Sequence, residues 1–200
     1  MPKAAAARHL GISQSSIFRI LRTEPRRRPV ARPRLRPVLS EADLGHLKSA
    51  GRMDSLAVRQ GQWWRLFTAV TLHSDAAHLV SNVTTGLLLL GLAMGSFGPG
   101  FALLAAYLAG AGANLAVLLL RLRDYFGLGA SGMIMGALGM LTVQSLALAR
   151  SGIPGRQLVV RGLAGGMLLL VLFGTNPDTD VLAHVAGFMG GCWLGAVLLM

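Results

Sequence analysis

Long apolar runs dominate the chain after residue 75, whereas the residues before that point are mostly polar or basic. A helix needs about 20 mainly apolar residues to cross the hydrocarbon core of a bilayer. Five runs come close to that length: 77–97, 100–120, 127–149, 157–174 and 181–200. The pattern therefore predicts five membrane-spanning helices.

Short connections join these runs, and no strand-like alternation of apolar and polar residues indicates a barrel. The composition agrees with a bundle of membrane helices, since 53% of the residues are hydrophobic and only 14% are charged. The chain also contains 26 glycines, a residue that is commoner in membrane helices than in soluble ones. We predict an all-α polytopic membrane protein, folded as a compact helical bundle.

The net charge of +11 is concentrated at the amino-terminal end of the chain. Residues 1–59 contain 13 of the 19 lysines and arginines but only four of the eight acidic residues. We therefore divide the chain into a basic, flexible arm at 1–59 and a nearly neutral membrane domain at 60–200. A basic arm can meet anionic lipid headgroups, mark a cytoplasmic segment or touch nucleic acid.

Residues 4–22 of the arm have the pattern of a helix-turn-helix, with the turn at Gly11. This stretch resembles the recognition unit of resolvase or invertase DNA-binding domains. Two helices bury little apolar surface, and the helix that usually precedes them is absent, so an independently folded DNA reader is not expected. The lipid bilayer is the expected partner of this chain, and nucleic acid is not.

Polar side chains within the apolar runs are few, and each is by default a functional hypothesis because placing it in a membrane is costly. His78 and Asn82 are four residues apart at the start of the first run, so they share one helical face. An acyl-transfer hydrolase needs a nucleophile, a nearby base and donors for an oxyanion. Ser131 can be the nucleophile and His184 the base, while His78, Asn82 and the Ser131 backbone N–H can be the donors.

The glycines beside Ser131 and His184 decide whether such a pair can form. Small residues at a spacing of four let two membrane helices approach closely. Gly132 and Gly136 form one such row, and Gly187, Gly191 and Gly195 form the other. The structural alternative stays open, because small residues often line helix contacts without chemistry, and a histidine at a helix end can simply reach toward the interface.

The histidines also allow a metal-binding alternative. His73, His78 and His184 could supply three ligands, but that site would leave Asn82 without a role and would have no carboxylate within the spans. The single cysteine, Cys192, lies in an apolar run, which excludes an intrachain disulfide and a thiolate cluster. We expect no metal and no cofactor.

Three segments, "WWRLFTAVTLHSDAAHLVSN", "GLGASGMIMGALG" and "AHVAGFMGG", resemble the signatures of the rhomboid intramembrane serine proteases. They occur in the family's order and cover residues 60–200. The family's Trp-Arg, His-x-x-x-Asn, Gly-x-Ser-Gly and Ala-His-x-x-Gly-x-x-x-Gly patterns match, in that order, Trp64 and Arg65, His78 and Asn82, Gly129 to Gly132, and Ala183 to Gly191.

The resemblance implies a rhomboid-like helical bundle with a Ser131–His184 dyad and no acidic third member. It implies that His78, Asn82 and the Ser131 N–H hold the oxyanion, without a cofactor. Such an intramembrane serine endopeptidase cleaves the transmembrane helices of membrane proteins near the outer membrane surface. We expect a multi-pass protein of the bacterial inner (cell) membrane.

Two departures from the family pattern leave a second function open. The family has six spans, and the first, which normally precedes the Trp-Arg loop, is not evident here. Met135, one turn after Ser131, stands where many members carry an aromatic residue that packs on the histidine. Methionine can fill that gap but orients an imidazole less firmly. The alternative is an inactive rhomboid-like protein that binds membrane helices, and a membrane-tethered DNA-binding protein is a more distant third.

Overall fold

The structure, a computed structural model, describes residues 40–121, 123–150 and 180–200. The helix-turn-helix-like stretch at 4–22 and the predicted span at 157–174 lie outside these residues. The described helices are α1 (Glu41–Gly51), α2 (Ser55–Arg59), α3 (Arg65–Thr68), α4 (Ala76–Phe97), α5 (Pro99–Leu120), α6 (Ser131–Arg150) and α7 (Val181–Leu198), with a 3-10 turn at Ala69–Thr71. Two short strands, β1 (Met53–Asp54) and β2 (Phe126–Gly127), pair antiparallel.

Four of the described helices, α4 to α7, are long and apolar enough to cross a membrane. They confirm four of the five spans predicted from the apolar runs. The helix predicted to begin at residue 127 begins at Ser131 instead. The reason is local, because Phe126 and Gly127 pair as a strand and Gly129 has a φ of +132°, which an α-helix does not accommodate.

Capping residues set the ends of α4 and the start of α5. The Asp75 carboxylate accepts a hydrogen bond from the His78 backbone N–H at 2.8 Å, which satisfies one of the free donors at the start of α4. Hydrogen bonding to His78 is the main cause that lowers the pKa of Asp75. The helix ends at Gly98, whose φ of +82° suits glycine, and Pro99 then opens α5 at the position where its missing N–H costs nothing.

Helix α6 packs against the three other described spans, α4, α5 and α7. Its buried face consists mainly of glycine, alanine and methionine, and Met135 and Met140 are among the most completely buried side chains. Large apolar side chains point outward instead, as Leu87, Leu119 and Trp193 do. This distribution suits a bundle whose solvent is lipid, since small residues let the helices pack closely while leucines face the hydrocarbon.

The described part of the amino-terminal arm, residues 40–59, contains α1, β1 and α2 and contacts the membrane domain. Strand β1 pairs with β2 immediately before α6, and the Arg59 side chain donates to the Leu118 carbonyl at 2.8 Å. Helix α1 begins with a capping box in which Ser40 and Asp43 each bond the backbone of the other. The boundary predicted after residue 59 stays a prediction, but residues 53–59 hydrogen-bond to the domain that follows.

Candidate active site

The loop that carries the Trp-Arg pair is held by the Arg65 side chain, which is buried. Its Nε donates to Gln62 Oε1 at 2.7 Å, and its NH1 donates to the carbonyls of Ser49 at 2.7 Å and Arg52 at 3.0 Å. A guanidinium can serve several acceptors at once because its donors form a fixed planar fork. Arg65 therefore joins the end of α1 to the loop. Trp64, its neighbour, is exposed.

Helix α5 supports the same loop with polar side chains from within the bundle. Asn114 donates to the Leu66 carbonyl at 2.8 Å, and the Tyr107 hydroxyl donates to the Phe67 carbonyl at 3.2 Å. These bonds add side-chain donors to two carbonyls of the short helix α3. The loop is thus hydrogen-bonded to α5 as well as to the end of α1, and these bonds fix its position relative to both helices.

Gly129 brings the chain past His78 just before α6 begins. Its backbone N–H donates to the Ala69 carbonyl at 2.9 Å, and its φ of +132° is a conformation that side chains rarely allow. A Cβ at this position would lie 2.7 Å from His78 Cε1. Two independent reasons therefore require glycine here. The turn delivers Ser131 as the first residue of α6, where the backbone N–H groups have no helical acceptor.

The polar residues predicted from the sequence line one cavity of about 670 Å³. Its lining comes from α4, α5, α6 and the start of α7, and includes Ser131, His184, His78 and Asn82. His78, Ser131 and His184 all lie in the first turns of their helices, so the cavity lies at one end of the bundle. The structure thus brings the proposed nucleophile, base and oxyanion donors to one place.

Ser131 and His184 share this cavity, but they are not hydrogen-bonded to each other. The His184 ring is buried, and its Nδ1 atom has no hydrogen-bond partner within residues 40–121, 123–150 and 180–200. Catalytic hydrogen bonds are often long in unliganded proteins and shorten when substrate binds. Ser131 and His184 are therefore placed as a nucleophile and its base could be, without a hydrogen bond between their side chains.

Glycines allow α6 and α7 to cross in backbone contact. A Cβ on Gly187 would overlap the backbone oxygen of Gly132, and a Cβ on Gly191 would overlap that of Gly136. Further along, a Cβ on Gly195 would lie 2.9 Å from the Cα of Met140. The two glycine rows singled out in the sequence therefore face each other. Gly139, which the sequence analysis did not single out, lies at the same crossing against the Phe188 carbonyl.

His78 and Asn82 occupy the α4 side of the cavity. Asn82 is buried and donates to the His78 carbonyl at 3.0 Å, which leaves its second amide hydrogen available. The His78 Nδ1 atom lies 3.0 Å from Ser74 Oγ. The His73 ring packs edge-on to the His78 ring with centroids 5.2 Å apart. Burial, followed by the nearby His78, lowers the pKa of His73 and favours its neutral form.

The sequence analysis missed a cluster of charged and polar side chains at the start of α7. Asp180 caps this helix by accepting from the N–H groups of Leu182 at 3.1 Å and Ala183 at 3.3 Å. Arg121, at the end of α5, forms an ion pair with Asp180 at 2.8 Å, and its guanidinium lies 4.8 Å from the centre of the Tyr125 ring. An acidic residue just before an apolar run is a helix-start signal, but its partner 59 residues away had no signal in the sequence.

These observations define a multi-pass helical membrane protein with a polar cavity at one end of its bundle. The family profile of the rhomboid domain matches residues 60–200. The chain therefore belongs to the rhomboid family, as the three sequence segments predicted.

Similar proteins occur in a bacterium and in a plant. Rhomboid protease GluP of Bacillus subtilis (strain 168) is 29% identical over 158 residues, which are 76% of this chain and 29% of that protein. The putative rhomboid protease YdcA of the same strain is 29% identical over 140 residues, 68% of each chain. RHOMBOID-like protein 7 of Arabidopsis thaliana is 30% identical over 148 residues, 72% of this chain and 45% of that protein. The chain spans less than a third of GluP and under half of the plant protein.

Proposed function

We propose that this chain is an intramembrane serine endopeptidase that cleaves transmembrane helices of membrane proteins. One observation carries the proposal: Ser131 begins α6, His184 lies in the first turn of α7, and both line one cavity where these helices cross in backbone contact. If the glycines served only to pack α6 against α7, a serine and a buried histidine would not be needed in the same cavity. Membership of the rhomboid family, and the similarity to rhomboid protease GluP and to the putative rhomboid protease YdcA, support the same function.

The chemistry follows from the groups that line the cavity. Ser131 Oγ attacks the scissile carbonyl carbon, and the hydroxyl proton passes to His184. The carbonyl oxygen becomes an oxyanion, which the Ser131 backbone N–H, the His78 ring and the free amide hydrogen of Asn82 stabilise. When the C–N bond breaks, His184 returns the proton to the leaving amine. Water then hydrolyses the acyl-enzyme by the same sequence of steps.

The position of the cavity supports cleavage near a membrane surface. Its proposed catalytic residues lie in the first turns of α4, α6 and α7, so they are at one end of the spans rather than at their middle. Water for the second step can reach this end without crossing the hydrocarbon core. We propose the cell membrane of a bacterium as the location, which the two Bacillus relatives support.

The test is cleavage of a model transmembrane substrate by the purified protein in liposomes. We expect cleavage by the wild type and none by Ser131→Ala or His184→Ala, because removing a nucleophile or its base eliminates the covalent step. Ser145→Ala is the matched control for the serine, since the Ser145 hydroxyl bonds the Leu141 carbonyl on the same helix α6. His46→Ala, on the exposed surface of α1, is the control for the histidine.

Both controls are expected to cleave as the wild type does. Cleavage by the Ser131→Ala protein at the wild-type rate would reject the proposed mechanism. Binding of the substrate helix without cleavage by the wild type would instead favour the inactive, helix-binding alternative.

A further inference from the structure

Two arginines line the cavity, and each lies over an aromatic ring in the segment that leads into α6. Arg121 lies over the Tyr125 ring and is paired with the Asp180 carboxylate. The Arg52 guanidinium lies 4.2 Å from the centre of the Phe126 ring, but it forms no ion pair with a carboxylate in residues 40–121, 123–150 and 180–200. Arg52 is therefore a cavity cation that no described acidic side chain neutralises.

The backbone of Arg52 is fixed by its neighbours, whereas its Nε atom has no partner in the described part of the chain. The Arg52 N–H donates to the Lys48 carbonyl at 2.9 Å, and the Arg52 carbonyl accepts from Arg65 at 3.0 Å. Strand β1 begins at the next residue and pairs with β2. Because a buried donor without an acceptor is costly, this side of the cavity favours a ligand that supplies one.

The contact with Phe126 orients the Arg52 guanidinium without using its donors. A cation over an aromatic face is held by its charge, and the N–H groups of an arginine stay available for a planar acceptor. Carboxylates and phosphates match the spacing of these N–H groups and can accept two hydrogen bonds at once. Arg52 therefore presents a preformed binding group for such an anion.

The charges that line the cavity favour an anion at the same place. In the described ranges, Asp180 is the one carboxylate among the lining residues, and it is already paired with Arg121. The excess positive charge of the two arginines over this carboxylate therefore lies at Arg52. A concave site with walls of low dielectric constant strengthens the attraction for the opposite charge.

We propose that Arg52 selects substrates by binding an acidic side chain in the polar segment next to the substrate's transmembrane helix. The inference rests on the proposed function and adds a specificity-determining residue to it. Phe126 and Ser131 are five positions apart, so their Cα atoms lie at most about 18 Å from each other. An extended substrate segment covers that distance in about five residues. The acidic residue is therefore expected within about five residues of the scissile bond.

A lipid phosphate could also bind a guanidinium, but the position of Arg52 favours the substrate. Arg52 lines the cavity together with Ser131 and His184, and the scissile bond must reach those two residues in the proposed reaction. A lipid headgroup bound there would compete with the substrate for the same volume. A carboxylate of the substrate instead adds binding energy that helps to place the chain for attack.

The test uses pairs of transmembrane substrates that differ by Asp or Asn at one position, scanned through the polar segment next to the helix. At one or more positions the wild type should cleave the Asp substrate with a kcat/KM about tenfold higher, because hydrogen bonds between charged groups are strong. Arg52→Gln should cleave both members equally. Arg123→Gln should keep the wild-type preference, since Arg123 is exposed and does not line the cavity.

A charge reversal gives a second variant. Arg52→Glu should cleave a substrate with Lys at the sensitive position faster than its Asp counterpart, which is the opposite of the order expected for the wild type. Equal cleavage of the Asp and Asn substrates by the wild type at every position would overturn the inference, and this result does not depend on the folding of a variant. A preference that persists in Arg52→Gln would overturn it as well.

Binding to an inactive variant separates this inference from the proposed function. Förster transfer between labelled substrate and labelled Ser131→Ala protein, both in phosphatidylcholine liposomes, measures binding without cleavage. The Asp substrate should bind about tenfold more tightly than the Asn substrate, even if the wild type cleaves neither and the proposed function fails. Equal affinities at every position would contradict the inference. Loss of the difference on addition of phosphatidylglycerol would also contradict it, because Arg52 would then bind lipid phosphate.

Discussion

The substitution Gly187→Ala adds one methyl group where α6 and α7 are in backbone contact. The new Cβ would overlap the backbone oxygen of Gly132 and lie 3.0 Å from its carbonyl carbon and 3.1 Å from its Cα. Since all three atoms belong to the backbone, no side-chain rotation can remove the overlap. The two helices must separate.

The size of the effect follows from these distances. Carbon atoms in contact lie about 3.5–4.0 Å apart, so the helices must move by roughly 0.5–1 Å. Overpacking of this kind costs about 1–3 kcal/mol, offset by the roughly 1 kcal/mol that alanine gains over glycine in a helix. A misplacement of about 1 Å between reacting groups can lower a rate about 100-fold. We therefore expect a large loss of activity with a smaller loss of stability.

The measurement pairs kcat/KM for a transmembrane substrate with thermal unfolding of the same preparations. Gly112→Ala, on α5, is the matched control because a Cβ there meets no atom within 4 Å. It should cleave as the wild type does and unfold at the same temperature or higher. If Gly187→Ala cleaves at the wild-type rate, the close crossing of α6 and α7 is not what places Ser131 beside His184.

Two further predictions concern the segment that leads into α6. Gly129→Ala should lower kcat/KM by about tenfold or more, because its Cβ would lie 2.7 Å from His78 Cε1 and its φ of +132° disfavours a side chain; Gly100→Ala, whose Cβ would be in open space, is the control, and equal activity of the two variants would contradict the argument. Burial raises the pKa of Tyr125, so the unfolded chain should ionise first at alkaline pH, and the stabilisation that is complete below the ordinary tyrosine pKa of about 10 should be lost as pH rises above it. Denaturant unfolding across this range should show a weaker pH dependence in Tyr125→Phe than in the wild type, and identical slopes would refute the prediction.

The spans were predictable because hydrophobicity is summed along consecutive residues. Four predicted runs became α4 to α7 with boundaries shifted by only a few residues, apart from the start of α6. That start depends on the pairing of Phe126 and Gly127 with Met53 and Asp54, more than 70 residues earlier in the chain. No local sequence pattern predicts a two-residue strand whose partner strand is so distant along the chain.

The residues that line the cavity were predictable only in part. Motif spacing indicated Ser131, His184, His78 and Asn82, and the structure places all four around one cavity. The acceptors of Arg65 were not predictable, because they are backbone carbonyls of Ser49 and Arg52, and every residue carries such a carbonyl. Local sequence does not distinguish which of them will face a given side chain.

The sequence by itself determined the class of protein: a polytopic membrane bundle of the rhomboid family, with a serine and a histidine each followed by glycines at a spacing of four. Only the tertiary structure decided that the two glycine rows meet each other, and that Arg121 forms an ion pair with Asp180 at the start of α7. The physical reason is that apolar content and helix spacing are properties of one segment. Backbone contact and ion pairing depend on how two segments are placed, and therefore on the packing of the whole bundle.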